Sequence, residues 1–238
     1  MSEYLNTFLF QYYPYIAFAV FAIGCWARYD NAAYTWRTGS SQLLSGKWMR
    51  LGSNWFHIGV LAILGGHFVG LLTPIWIFDA IGISHGAKQI LAIVVGGIAG
   101  VACFIGLSLL IHRRLFDPRI RRNSSFSDIA VLLLLYAQLI LGLATIFISL
   151  GHLDGEEMVK FMNWAQGIIT LRPDAAAYVA DVHPIFKAHL FLGLTIFLVF
   201  PFTRLVHMLS APVWYLNRRG FQIVRTRKQD QKSVVSTE

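Results

Sequence analysis

Five long apolar stretches alternate with shorter polar segments along this chain. They lie at about residues 5–27, 51–72, 90–111, 129–150 and 185–209. A helix needs about 20 residues to cross a bilayer, because each residue adds about 1.5 Å of rise. Isolated strands would leave unpaired backbone groups in lipid, so helices are the expected form. The pattern predicts an all-α integral membrane protein with five transmembrane helices.

Composition supports a membrane protein. The chain is 56% hydrophobic and only 13% charged, whereas a soluble domain is about a quarter charged. Cys25 and Cys103 lie inside apolar runs and form no CxxC or CxxCH pattern, so we expect buried packing rather than a disulfide, a zinc site or covalent haem. The N-terminus has neither a basic region nor a cleavage site, so we expect the first apolar stretch to be retained.

The basic residues predict the orientation. Of the 20 lysines and arginines, 16 fall on one side of the predicted spans: Arg28, Arg37, Lys47, Arg50, Arg113, Arg114, Arg119, Arg121, Arg122, Arg204, Arg218, Arg219, Arg225, Arg227, Lys228 and Lys232. The positive-inside rule places that side in the cytoplasm and the N-terminus outside. The net charge of +8 therefore reflects topology and lipid headgroups rather than nucleic acid. We expect a transmembrane domain at 1–216 and a basic, polar cytoplasmic tail at 217–238.

The longest connection, at about 151–184, is expected on the outside. Apolar residues recur at helical spacing within 156–170, at Met158, Phe161, Met162, Ala165 and Ile169. This pattern predicts an amphipathic helix that lies on the membrane face or over a pocket.

Four histidines fall within predicted spans, His57 and His67 in the second and His189 and His207 in the fifth. An ionisable side chain in a membrane is costly and indicates function by default. A hydrogen bond between helices is the alternative interpretation, but it explains two histidines on each of two helices less well. The remaining four are expected to be solvated or to cap helices: His85, His112, His152 and His183.

Helix geometry pairs these histidines across the two spans. His189 and His207 are 18 residues apart, or about 27 Å on a continuous helix, and the 10 residues from His57 to His67 give about 15 Å. Neither helix can bind one metal ion with both of its own histidines. Because the second span runs outward and the fifth inward, the expected pairs are His57 with His207 near the cytoplasm and His67 with His189 nearer the outside.

Two sites with two imidazoles each suit haem iron better than zinc, which prefers four ligands at one point. We therefore predict two non-covalent b haems within the helix bundle. Gly52, Gly59 and Gly66 recur every seven residues; small residues permit close approach of a haem, but helix packing explains them equally well. Arg204, one turn before His207, is expected either to pair with a haem propionate or to extend to the headgroups. Pro201 is expected to kink the fifth helix.

Several motifs resemble those of the gamma subunit of respiratory nitrate reductase, a di-haem cytochrome b. They are residues 13–17 (YPYIA), 28–30 (RYD), 34–37 (YTWR), 40–42 (SSQ), 54–59 (NWFHIG), 66–67 (GH), 72–74 (LTP), 113–116 (RRLF) and 201–207 (PFTRLVH). The resemblance covers about residues 4–225. It implies the same haem pairs in a bacterial cytoplasmic (inner) membrane and quinol oxidation near the outer haem. Electrons would then pass to the inner haem, to an iron–sulfur beta subunit and to a molybdenum alpha subunit that reduces nitrate to nitrite.

Lys88 matches the lysine of the family's quinol pocket, and we expect the quinol to dock near Lys88, Gly66 and His67. By itself, Lys88 at the start of a span is typical of an interfacial anchor. Two other functions remain open from the residues. The chain could be the di-haem anchor of another quinone-linked enzyme, such as a formate dehydrogenase or hydrogenase, or a haem-free transporter or structural anchor.

Overall fold

Helices account for every regular element in the part of the chain that the computed structural model describes, residues 2–36, 41, 44, 46 and 48–210. In chain order they are α1 (Glu3–Thr7), α2 (Tyr13–Ala32), α3 (Met49–Leu72), α4 (Ile75–Ala80), α5 (His85–Phe116), α6 (Pro118–Arg122), α7 (Phe126–Ser149), α8 (Glu156–Ile169) and α9 (Pro184–Val199). A π-helical turn joins α1 to α2, and 3-10 turns lie at Ala33–Thr35, Ala175–Val179, Phe200–Phe202 and Arg204–Ser210. The predicted tail at 217–238 lies outside the described residues.

Five helical segments are long and apolar enough to cross a membrane, which confirms the predicted number. They are Glu3–Thr35, Met49–Leu72, His85–Phe116, Phe126–Ser149 and Pro184–Phe202. The third begins before the predicted residue 90 because Ser84 caps it, with the Ser84 side chain accepting from the Ala87 amide at 3.2 Å. The fourth begins at a capping box between Ser125 and Asp128. Hydroxyl and carboxylate oxygens at these positions bind amides that have no partner within the helix.

The five long helices pack in the order α3, α5, α7, α9 and α2, each mainly against its neighbours in that series. The second span, which carries His57 and His67, is thus linked to the fifth by way of α5 and α7. We call the end of the bundle that holds α8 the α8 end. The end that holds Arg28, Arg113 and Arg204 is called the basic end.

The closest helix contact is between α3 and α5, and glycines permit it. A Cβ on Gly106 would lie 2.2 Å from the Phe56 nitrogen, and one on Gly59 would lie 2.6 Å from the Cys103 nitrogen. Gly66, by contrast, has nothing within 4 Å of its Cβ position. Of the three glycines spaced seven residues apart, Gly52 and Gly59 pack against α5, whereas Gly66 borders open space. Cys103 is buried in this contact, as expected.

The predicted amphipathic helix is present as α8, and it packs over the ends of other helices. Trp164 Nε1 donates to the Phe10 carbonyl at 2.9 Å, and Gln166 Nε2 donates to the Leu71 carbonyl at 3.1 Å. Its buried face differs by one position from the predicted one, since Ile168 is buried whereas Ile169 is 61% exposed. The helix covers the bundle rather than lying apart on the membrane face.

The fifth span departs from the predicted continuous helix. The α-helix ends at Val199, Thr203 is extended with φ −118° and ψ 178°, and a 3-10 segment follows from Arg204. Pro201 lacks the amide that would continue the helix, and Arg28 Nη1 donates to the exposed carbonyls of Pro201 and Thr203 at 2.6 and 2.7 Å. The predicted kink is thus a break in the helix. The spacing of about 27 Å between His189 and His207, which was expected on a continuous helix, therefore does not apply.

Candidate haem site

The structure brings together one of the two predicted histidine pairs in direct ring proximity. His67 near the end of α3 and His189 near the start of α9 have ring centroids 6.1 Å apart, with the planes inclined by 42°. With metal–nitrogen bonds of about 2 Å and about 1 Å from nitrogen to ring centre, two imidazoles on one metal ion have centres about 6 Å apart. The spacing of this pair therefore fits a single metal between two axial imidazoles.

Three of the four histidines have the same hydrogen bond at Nδ1. The His57 nitrogen lies 2.7 Å from the Ser53 carbonyl, that of His67 lies 2.8 Å from the Ile63 carbonyl, and that of His207 lies 2.6 Å from the Arg204 carbonyl. A carbonyl can only accept, so each Nδ1 carries a hydrogen, and in the neutral ring Nε2 then has the lone pair. This is the tautomer of a histidine that binds metal through Nε2, with the other nitrogen fixing the ring.

His189 is held differently. Its Nδ1 is buried and has no hydrogen-bond partner among the described residues. Its Nε2 lies 3.4 Å from Gln138 Nε2, and Gln138 also donates to the His189 carbonyl at 3.1 Å. A Cβ on Gly142 would lie 3.0 Å from His189 Cε1, so the absence of a side chain there makes room for the ring. A buried polar atom without a hydrogen-bond partner costs about 1–3 kcal/mol, and a ligand would offset this cost only by binding Nδ1 itself.

The second predicted pair lies toward the basic end. His57 is on α3 before His67, and His207 is in the 3-10 segment after the break in the fifth span. His207 therefore does not share a helix with His189, contrary to the prediction. Sequence reasoning missed this because the contact that stabilises the break comes from Arg28, which is 173 residues from Pro201.

Lys88 lies near the start of α5, at the α8 end, where it contacts α4, which precedes it in the chain, and α8, which follows. Its side chain is only 5% exposed. Its Nζ donates to Met162 Sδ at 3.2 Å and lies 4.0 Å from the centre of the Phe78 ring. A thioether and an aromatic face are weak partners for an ammonium group. Such burial differs from that of an interfacial anchor, whose amine would extend into water.

Arg204 pairs with a carboxylate that sequence reasoning did not consider. Its Nε donates to Asp128 Oδ1 at 2.8 Å, and Arg114 Nη1 lies 3.5 Å from Asp128 Oδ2. The available signal was the capping-box pattern that starts at Ser125, which predicts an acidic residue at the start of a helix. It gave no indication of the partner arginine 76 residues away.

Membrane-length helices and an imidazole pair spaced for one metal ion are features of the membrane cytochrome b class. The sequence family described as "Nitrate reductase gamma subunit" matches residues 6–227. The chain is 51% identical to the respiratory nitrate reductase 1 gamma chain of Escherichia coli (strain K12), over 94% of this chain and 99% of that one. It is 48% identical to the respiratory nitrate reductase 2 gamma chain of the same strain, over 96% and 100%, and 39% identical to the nitrate reductase gamma chain of Bacillus subtilis (strain 168), over 90% and 95%.

This chain therefore belongs to the nitrate reductase gamma subunit family. The resemblance seen in the sequence motifs is confirmed. Membership in this family of membrane cytochrome b subunits implies haem b, and the five apolar helices make the chain a multi-pass membrane protein. The family membership favours a nitrate reductase subunit over the membrane anchor of a formate dehydrogenase or hydrogenase, and over a haem-free transporter or structural anchor.

Proposed function

We propose that this chain oxidises quinol and passes the electrons through two b haems to the other subunits of a respiratory nitrate reductase. The outer haem would lie between His67 and His189, and the inner haem between His57 and His207. The observation that carries the proposal is the 6.1 Å separation of the His67 and His189 rings, which would allow both imidazoles to hold one haem iron. A haem held by these residues would supply one-electron transfer.

The chain's own residues would prepare both haem sites in similar ways. The Nδ1 hydrogen bonds of His57, His67 and His207 to backbone carbonyls fix each ring and direct Nε2 away from its own backbone. Hydrogen bonds of this kind also raise the basicity of the ligand. Next to His67, Gly66 leaves open space on α3, which would allow a flat molecule to approach closely.

Lys88 would bind the quinol near the outer haem. An ammonium group held by a thioether and a ring face lacks a strong acceptor, and a quinol oxygen would provide one. A hydrogen bond to a charged group contributes about 1.5–3 kcal/mol. Met162 on α8 and Phe78 on α4 would then form part of the wall of the quinol pocket.

The family resemblance implies the direction of transfer, and the distribution of basic residues supports the orientation that it requires. With the basic side in the cytoplasm, the N-terminus and the α8 end would lie outside. Quinol oxidation at the α8 end would release its protons outside, and the electrons would move inward to the His57/His207 haem. Each charge that crosses the membrane couples to the potential at about 2.3 kcal/mol per 100 mV.

The basic end would dock the remaining subunits of the enzyme. The relatives are named as gamma chains of nitrate reductases, and we propose an iron–sulfur beta subunit and a molybdenum alpha subunit as partners. Nitrate would be reduced on the alpha subunit. The tail at 217–238 would add basic charge to the docking surface, separately from the transmembrane domain at 1–216.

The proposal is tested by haem content and activity in the purified complex. We expect two haems per chain by pyridine haemochrome, and about one in His67→Ala, with loss of nitrate reduction supported by quinol. His152→Ala is the matched control, because His152 Nδ1 also bonds a carbonyl four residues earlier, Ile148, at 3.3 Å but lies outside the spans. A chain that carries no haem, or a His67→Ala variant that retains both, contradicts the proposal.

A further inference from the structure

The ligand proposed for the inner haem lies beyond the end of a regular helix. His207 follows Thr203, whose extended backbone separates the 3-10 segment Arg204–Ser210 from α9. Helical hydrogen bonds therefore do not by themselves fix the position of His207 relative to α9. Contacts from other helices must stabilise the break if the imidazole is to hold one position.

Arg28 on α2 binds the break directly. Its Nη1 donates to the carbonyls of Pro201 and Thr203, at 2.6 and 2.7 Å. Its Nε and Nη2 donate to the side chain and the carbonyl of Thr35, both at 3.0 Å. The planar guanidinium thus joins the end of the first span to the break through four hydrogen bonds, a geometry that a lysine ammonium cannot reproduce.

Asp128 at the start of α7 binds Arg204, the residue that follows the break. It accepts from Arg204 Nε at 2.8 Å, and its side chain is 16% exposed. The capping box with Ser125 fixes the Asp128 carboxylate in turn. The carbonyl of the same Arg204 accepts from His207 Nδ1 at 2.6 Å. A continuous series of contacts therefore leads from α7 through Arg204 to the imidazole.

Packing restricts the same segment from its other side. Leu205 and Val206 are buried, at 7% and 0% exposure, in a cluster with Cys25, Val131 and Phe200. The two side chains that precede His207 in sequence are therefore fixed between the first and fourth spans. The imidazole itself remains partly exposed, as a ligand available to a group outside the protein core would be.

We propose that Arg28 and Asp128 are positioning residues for the inner haem ligand His207. Arg28 fixes the break that ends α9, and Asp128 fixes Arg204, whose carbonyl orients the His207 ring. The inference rests on the proposed role of His207 as a haem ligand. Groups that orient a metal-binding histidine typically change metal affinity by about 10- to 100-fold when they are replaced.

The test uses the whole complex with Arg28→Lys and Asp128→Asn. Arg28→Lys keeps the charge but loses the four-bond geometry, and Asp128→Asn keeps the shape but loses the charge. The controls are Arg172→Lys and Asp174→Asn, the same two changes at exposed residues of the α8 end, away from the proposed docking surface. The readouts are the midpoint potential and the low-spin electron paramagnetic resonance (EPR) signal of each haem.

We expect each test variant to shift the potential and broaden the signal of the inner haem, and to lower the affinity of the chain for that haem by about 10- to 100-fold. The outer haem and both controls should match the unsubstituted complex. Adding Arg28→Lys to His207→Ala should cause no further loss of inner haem, because the imidazole that Arg28 positions is already absent.

Two results would overturn the inference. Inner-haem signals that are unchanged in both variants would show that neither residue positions His207, and equal changes at both haems would indicate a general structural role. Failure of the proposed function is distinguishable from both. In that case His207→Ala itself would leave the two haem signals intact.

Discussion

At the scale of single residues, Lys88 has an unusual combination of burial and weak partners. A cation at 5% exposure normally binds a carboxylate or several oxygens directly. The Lys88 Nζ instead contacts a sulfur and a ring face, and the Asp79 carboxylate interacts with it only through its charge. The burial was not predictable from the sequence, because it depends on Met162 of α8, 74 residues away. The proposed quinol site accounts for this arrangement, since a quinol oxygen would serve as the missing acceptor.

We predict that Lys88→Gln weakens quinol binding. Loss of a hydrogen bond to a charged group costs about 1.5–3 kcal/mol, so KM for quinol should rise about 10- to 100-fold. Steady-state nitrate reduction by the complex with quinol as donor measures this, with a dye that reduces the catalytic subunits directly as a second donor. Lys160→Gln, on the covering helix α8, should behave like the unsubstituted protein. Equal loss with both donors would mean that Lys88 acts on assembly rather than on quinol.

At the scale of helices, the contact between α3 and α5 depends on glycine. The Cβ position of Gly106 is 2.2 Å from the backbone nitrogen of Phe56, whereas that of Gly96 on the same helix has nothing within 4 Å. The spacing of glycines in the sequence indicated close packing but did not distinguish the two kinds of position. Only the packing of the helices shows which glycines contact the backbone of a neighbouring helix.

We predict opposite effects for two alanine substitutions on α5. Gly106→Ala requires α3 to move, and overpacking of this kind costs about 1–3 kcal/mol, so the complex should melt at a lower temperature. Gly96→Ala meets no neighbour and gains helix propensity of about 0.8–1.0 kcal/mol, so its melting temperature should be equal or higher. Thermal unfolding of the detergent-solubilised complex, followed by haem absorbance, measures both. Equal melting temperatures for the two variants would contradict the packing described here.

Elements that depend on length and local chemistry were predictable from the sequence. The five spans follow from runs of about 20 apolar residues, and α8 follows from its helical spacing. The break at Thr203 was not predictable, because Pro201 permits either a kink or an end. Hydrogen bonds from Arg28 to the carbonyls of Pro201 and Thr203 stabilise the end of the helix here. The buried face of α8 was displaced by one residue because Trp164 and Ile168 pack against the first span.

At the scale of the whole molecule, the orientation in the membrane is a direct prediction. The native Cys25 and Cys103 are buried, so an introduced cysteine should dominate labelling by a thiol reagent that does not cross membranes. We expect Leu153→Cys, at the α8 end, to react in intact spheroplasts and Asn123→Cys, at the basic end, to react only in inverted vesicles. Both positions are exposed. The reverse pattern would invert the proposed direction of electron transfer.

We propose that one histidine of the second span and one of the fifth bind each haem. The most direct measurement is the low-spin ferric EPR spectrum of the complex in single and double histidine variants. His67→Ala and His189→Ala should each remove the same signal, and the double variant should remove no more than either alone. His57→Ala and His207→Ala should remove the other signal. If His67→Ala and His189→Ala removed different signals, the pairing across the two spans would be wrong.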